Sequence, residues 1–289
     1  MRTYNTPEPI SVVIELGVAD VQITATDRRD TMVDVRPTNP ANKANVAAAE
    51  QTTIDFVDGR IFVTAPKGWL HWVPRSGRGS IDVRIDVPTE SNVEGSVGVG
   101  ALRCVGRIGE CRGKAGVGDV LIDECTTVTI AVGAGAVEVG YAHGDVEVKT
   151  TGAVRLGTIE GGAVIKTSNG DTAIREVAGD ARVTGANGNV VIEQAHGSVQ
   201  AKSANGDIRL DSAERGTIGA VTARGKVQIG VREGVAAWLD LETGFGRVRN
   251  ELSTAGEPGP GDETIDVRAR TAFGDITIRR APASTTDAA

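Results

Sequence analysis

Apolar and polar positions alternate in short triplets through the middle of this chain. Val154-Arg155-Leu156, Ala163-Val164-Ile165, Val190-Val191-Ile192 and Ile208-Arg209-Leu210 each put two apolar side chains on one side of a strand and a variable one on the other. Glycines recur with them, since Gly152, Gly161, Gly170, Gly179, Gly188, Gly197 and Gly206 fall nine residues apart. Alternate units match more closely, and Ser168-Asn169-Gly170-Asp171, Ala186-Asn187-Gly188-Asn189 and Ala204-Asn205-Gly206-Asp207 recur at eighteen residues. Asn-Gly and Gly-Asp supply the backbone freedom of turns. Nine residues therefore make one short strand and one turn, and eighteen make a coil of two strands packed apolar face to apolar face. One coil cannot bury its own face, but coils stacked at about 4.8 Å share a continuous core. The pattern predicts an all-β chain built on a parallel β-solenoid, with two short strands per coil of ~18 residues.

The register extends upstream through Gly144, Gly135, Thr126, Gly118, Gly109 and Gly100, and downstream through Gly216, Gly225 and Gly234. That span predicts roughly seven to eight coils, about 35–40 Å of axis. Proline supports it independently. The ten prolines sit at 7, 9, 37, 40, 66, 74, 88, 258, 260 and 282, leaving 89–257 without one, and proline cannot donate to a central strand ladder.

Residues 1–95 read differently, as an antiparallel β-rich cap. Strand patterns cover 10–16, 18–25, 32–36, 54–57, 61–65 and 81–87, and Asp58-Gly59 is a two-residue hairpin signal. The stretch 42–51, with its Ala47-Ala48-Ala49-Glu50 run, is the one helix candidate. The solenoid is expected over 96–281 with a loop insertion at 251–263, and 282–289 as a disordered tail. Trp238, Phe245 and Phe273 stand where earlier coils carry Val, Ala or Asn, which predicts a C-terminal plug.

Charge and composition narrow the function. A net charge of −7 and a pI near 5.2 argue against nucleic acid and against an anionic membrane as general partners. The start, Met1-Arg2-Thr3-Tyr4, shows no apolar export region, and no apolar run is long enough for an integral membrane segment. Cys104, Cys111 and Cys125 form no short-spaced pair and read as small buried hydrophobes of a reducing compartment. A soluble, cytoplasmic protein is expected.

Candidate chemistry is sparse. Asp171 and Asp207 share a column two coils apart, about 10 Å, near the spacing of an inverting glycosidase pair. Both follow a turn glycine, where Asp is an ordinary residue. Calcium-binding nonapeptide repeats place Asp two residues beyond glycine, whereas here it follows directly. His143 and His196 are expected about 14 Å apart, and the cysteines lack Cys-x-x-Cys spacing. No catalytic, cofactor-binding or metal-ligating residue is assigned. Asn169, Asn187 and Asn205, each before a turn glycine (Gly170, Gly188, Gly206), are expected to bond along the stack. The outward columns Glu138, Arg155, Ala173, Val191, Arg209 and Glu147, Val164, Arg182, Gln200 read as solvated faces. The loop 68–79 carries Trp69, Leu70, His71 and Trp72 ahead of a basic, glycine-rich run. It reads as a lid over an open solenoid edge or as a grip on a partner.

Ile81-Asp82-Val83-Arg84-Ile85-Asp86-Val87-Pro88, leading into the Ser/Thr-x-Asn-Gly-Asp-Ile/Val units, resembles the bacterial β-strand-repeat domain of unknown function called "putative adhesin" or Toastrack. The ending Val267-Arg268-Ala269-Arg270-Thr271-Ala272-Phe273-Gly274-Asp275-Ile276 is similar to actinobacterial members. The resemblance covers about 8–281. It implies a β-solenoid with no established catalytic activity and no functional residues to carry over. The expected function is a non-enzymatic binding or scaffold module with a protein partner, including self-association along strand edges. The alternative is a carbohydrate-binding or carbohydrate-active solenoid using Asp171 and Asp207.

Overall fold

The computed structural model describes residues 1–65, 79–252 and 264–281. The fold is a parallel β-solenoid with an antiparallel N-terminal part, and its described residues form two compact units. One comprises Met1–His143 with Val148–Thr150, the other Gly144–Glu147 with the chain from Thr151 onward.

The first unit holds β1 (Arg2–Asn5), β2 (Ser11–Thr26), β3 (Asp30–Pro37), α1 (Lys43–Gln51), β4 (Thr53–Val57), β5 (Arg60–Thr64), β6 (Ile81–Pro88), β7 (Asn92–Val99), β8 (Leu102–Val117), β9 (Val120–Ala134) and β10 (Val137–Ala142). β2 is its hub. Its first half lies parallel between β5 and β7, and its second half, beyond Gly17, lies parallel between β6 and β8. β8 and β9 likewise run together through both halves, with one slip of register between Cys104 and Arg107. Among the described residues of this unit only β1–β3, β3–β6 and β4–β5 are antiparallel. The β4–β5 turn uses Asp58 (φ 49°) and Gly59 (φ 71°), the paired left-handed geometry whose twist matches a hairpin. Asn42 caps α1 by accepting the Ala44 N–H at 2.9 Å. Ala48 is buried, and Asn45 accepts the Ser80 N–H at 3.1 Å, tying the helix to the start of β6.

β11 (Val146–Thr150) is shared between the units. The second unit continues with β12 (Val154–Ile159), β13 (Ala163–Asn169), β14 (Thr172–Val177), β15 (Ala181–Asn187), β16 (Val190–Ala195), β17 (Val199–Asn205), β18 (Ile208–Ala213), β19 (Gly216–Arg224), β20 (Val227–Val231), β21 (Ala236–Phe245), β22 (Val248–Asn250), β23 (Thr264–Phe273) and β24 (Ile276–Arg280). Strands stack in register on equivalents one coil away, so Ile192 sits between Ile174 and Leu210, and Val183 meets Ala201. The triplets supply two inward columns. A third, Val177, Ala195 and Ala213, follows after a step of three residues instead of two, where the strand bends around its corner.

Hydroxyls close the opposite corner. Thr167, Ser203, Thr222 and Thr271 are buried at the ends of their strands and donate to the carbonyls of Gly152, Gly188, Gly206 and Gly225 at 3.0, 3.3, 3.0 and 3.0 Å. These four glycine carbonyls are thereby satisfied inside the stack.

Coil order departs from chain order. After β20 the chain does not place its next coil directly on β19 and β20. β23 pairs with β19, and β21 pairs with the far side of β23; likewise β24 pairs with β20, and β22 with β24. The last coil in sequence is therefore inserted beneath the one before it, and the spatially terminal coil is β21–β22. The glycine column follows space: an added Cβ on Gly274 would meet Gly225 O at 2.0 Å, and one on Gly246 would meet Gly274 O at 1.9 Å. Gly234, expected to continue the column, has nothing within 4 Å of such a Cβ.

Candidate functional site

The asparagine column forms an amide ladder. Asn187 Nδ2 donates to Asn169 Oδ1 at 2.8 Å, and Asn205 Nδ2 donates to Asn187 Oδ1 at 2.9 Å. The ladder is exposed, so each rung contributes on the order of 0.5 kcal/mol.

The residues after the turn glycines reach across coils rather than within their own turn. Asp171 Oδ1 accepts the Asn189 N–H at 2.8 Å, Asn189 Oδ1 the Asp207 N–H at 2.9 Å, and Asp207 Oδ1 the Lys226 N–H at 2.7 Å. Asp275 does the same for the Arg247 N–H at 2.9 Å. In the first unit Asp20 and Asp119 receive Ala101 and Ala136 N–H at 2.9 and 2.8 Å. Asp171 and Asp207, the pair considered for sugar chemistry, thus each commit an oxygen to holding the next coil.

His143 lies in the first unit, with Nε2 2.8 Å from Glu124 Oε1 and its ring 4.8 Å from that of Tyr141. His196 lies in the second, between carboxylates from the coils on either side: Nδ1 is 2.7 Å from Glu214 Oε2 and Nε2 is 3.2 Å from Glu176 Oε1. Glu214 also pairs with Arg232 at 3.0 Å, and Arg215 Nε donates to the His196 carbonyl at 2.8 Å. The Glu214 hydrogen bond raises the His196 pKa against the opposing effect of partial burial, and Glu176 adds to the rise. A folded-state pKa above the unfolded one means that this stabilisation is complete below the unfolded value and fades as pH climbs through the folded value. His196→Gln is expected to lower the melting temperature more at pH 5.5 than at pH 8.5; melting curves of both proteins at the two pH values check this, and an equal loss at both rules out the charged clamp.

The three cysteines are free and fully buried. Cys104 hydrogen-bonding and burial push the Cys111 thiol up, and burial pushes Cys125 up to about 12. Such thiols are poor nucleophiles. A groove of about 240 Å³ on the outer side of β6, β2 and β8 is lined by Asp20, Gln22, Asp82, Arg84, Ala101 and Arg103. Asp82 in it already accepts the Thr38 hydroxyl at 2.8 Å. Among the described residues no group of three or more His, Cys, Asp or Glu is placed to hold a metal ion, and no helix is long and apolar enough to cross a membrane.

Trp69, Leu70, His71 and Trp72 lie outside the described residues. The other large aromatics do not form the expected plug: Trp238, Phe245 and Phe273 are 67%, 71% and 52% exposed. The inserted coil is the reason. β23 brings Ile265, Val267 and Ala269, all fully buried, to the place a plug would have filled. The aromatics stand outside it on β21 and β23. Phe245 and Phe273 are in register and stack at 5.0 Å with 6° between ring planes. They prolong the column of Asn169, Asn187, Asn205 and Arg224, so amide rungs give way to a ring stack. The flank behind them is cationic. β13, β15, β17 and β19 carry Lys166, Arg182, Lys202 and Arg224 and no acidic residue. The column of Lys166 and Lys202 lies beside that of Val164, Arg182 and Gln200 on this face, and Thr184 between the two lysines hides it in the sequence.

The terminal coil is therefore the candidate site, an exposed surface with aromatic ends. The family model described as Toastrack DUF4097 matches residues 11–285. No curated protein matches the chain. Similar solved structures include a "putative adhesin" from Parabacteroides distasonis ATCC 8503, 9% identical with a TM-score of 0.44, covering 96% of this chain and 95% of that one. Another "putative adhesin", from Parabacteroides merdae ATCC 43184, is 11% identical with a TM-score of 0.43 and coverages of 97% and 95%. A "putative cell adhesion protein" from Clostridium sporogenes ATCC 15579 is 12% identical with a TM-score of 0.30 and coverages of 96% and 98%.

Proposed function

This chain belongs to the Toastrack DUF4097 family, and on that footing we propose that it is a non-enzymatic binding module, a rigid solenoid presenting a contact surface to a protein partner. The observation that carries the reading is the exposure of Trp238, Phe245 and Val248 (44%) together on one terminal coil. Large apolar side chains gathered at an open edge mark a contact surface more often than a solvated one. The commitment of Asp171 and Asp207 to backbone amides supports a scaffold role for that column over a sugar-cleaving one. The stretch bearing Trp69 and Trp72, outside the described residues, is a second candidate contact. The reading keeps the cytoplasmic location, which fractionation of the native cell tests.

The test of function is co-purification from the native cell with three proteins: the full chain, a Trp238→Ser/Phe245→Ser variant, and a variant lacking 69–73. The specific partner is expected to be lost from the aromatic variant. Equal recovery in all three removes both surfaces from the function.

A further inference from the structure

The terminal coil has an unfinished edge. Among the described residues β21 is hydrogen-bonded only to β23, and β22 only to β24. No residue of β21 or β22 is buried, although the positions facing Ala237, Leu239 and Leu241 in the ladder, Ile265, Val267 and Ala269, are fully buried. The inward side chains Ala237, Leu239 and Leu241 thus form half of a core layer. A partly wet apolar layer above a row of unpaired N–H and C=O groups is a template for another strand.

Proteins usually block such edges by shortness, lysine, proline or inward-pointing charge. In the first unit the strands paired on one side only include β1 and β4, of 4 and 5 residues. β21 has 10 residues, no lysine, no proline, and only apolar or hydroxyl side chains on its inward positions. Its charges, Asp240 and Glu242, point outward and are drawn back toward Arg270, each at 3.5 Å.

We infer that a second copy of this chain completes the coil, by antiparallel pairing of β21 with β21 about a two-fold axis at Leu239. The inference rests on the terminal coil being a contact surface and names its occupant. Three features select a second copy in this register. Inward residues must meet inward residues for the core to close, so the axis passes through a residue position. An axis at Asp240 sets that carboxylate against itself, and one at Leu241 sets Asp240 against Glu242. An axis at Leu239 places Asp240 opposite Trp238, Glu242 opposite Ala236 and Ala237 opposite Leu241, with no like charges facing. The two-fold arrangement also uses up the β21 edge of each copy and stops at two copies, whereas head-to-tail stacking would grow without end. Pairing over 236–242 in each copy covers about 24 Å by about 20 Å, or ~1,000 Å² in total, at the lower limit of specific interfaces. The dimer is expected to be reversible, with a dissociation constant on the order of 10 µM.

Sedimentation velocity of the full chain from about 1 to about 200 µM tests this, together with three variants. The full chain should move from monomer to dimer and no further, and Leu241→Lys, which puts a charge inside the shared layer, should remain monomeric with its circular dichroism unchanged. Leu239→Cys should form a disulfide-linked dimer on mild oxidation, since directly opposed residues of an antiparallel pair stand within disulfide reach. Val164→Cys, exposed on β13, should not, and the buried native thiols will not interfere. A monomer at every concentration, open-ended polymers, or equal crosslinking of the two cysteine variants overturns the inference. A monomer that still captures its partner through Trp238 and Phe245 overturns only the second copy; a monomer that captures nothing overturns the proposed contact surface as well.

Discussion

Gly206→Ala is expected to lower the melting temperature of the protein by roughly 10 °C. Two costs combine at this position. Gly206 has φ +147°, a conformation open to glycine and strained for an L-residue by about 1 kcal/mol. An added Cβ would also lie 2.0 Å from Gly188 O and 2.5 Å from its carbonyl carbon. That backbone has little room to yield, because Gly188 N–H is bonded to Asn205 O and Gly206 N–H to Arg224 O, both at 2.9 Å. Separating the coils weakens several rungs worth about 1 kcal/mol each, giving a total near 4 kcal/mol. For a protein of this size each kcal/mol moves the midpoint by about 2–4 °C. Gly59→Ala is the matching control: φ is +71° and nothing lies within 4 Å, so conformational strain alone remains, about 1 kcal/mol. Calorimetry of the two variants separates the contributions, and equal shifts would refute the collision between stacked glycines.

Thr172→Val is expected to raise the midpoint by about 4 °C. Among the described residues Thr172 Oγ1 is the buried side-chain oxygen without a hydrogen-bond partner. The residue is fully buried in a column with Val154 and Val190 as its in-register neighbours. Valine has the same shape, so the exchange keeps the packing and removes a desolvated hydroxyl worth about 1–2 kcal/mol. Thr167→Val should do the reverse, because the Thr167 hydroxyl donates to Gly152 O at 3.0 Å. Thermal melts of both variants decide it: a gain at 167 or a loss at 172 would reverse these hydroxyl assignments.

The strands of the second unit were legible because their information is local. The triplets fix two inward positions of each strand, and the turn chemistry fixes where each strand ends. The helix at 42–51 and the hairpin at Asp58-Gly59 were legible for the same reason. The third inward column was not. Val177, Ala195 and Ala213 follow a step of three, which breaks the period-two pattern at a corner created only by the bend itself. The role of the aspartates was also hidden, since a carboxylate after glycine looks the same whether it serves its own turn or the N–H of the next coil.

The candidate site was legible only in its parts. Trp238, Phe245 and Phe273 stood out from the repeat, and their bulk pointed to the solenoid end. Their exposure follows from a long-range choice, the entry of β23 and β24 between β19–β20 and β21–β22. The period, the inward and outward alternation and the glycine and asparagine columns are written in the residues themselves, because these depend on neighbours one turn away. Which coil stacks on which, and therefore which edge stays open, is settled by long-range packing. Near-identical coils offer near-identical faces, so local pattern cannot rank their order, and the preference comes from burying Ile276 and Ile278 of β24 between two coils, where β22 in the same place would bring Val248 and the polar Asn250.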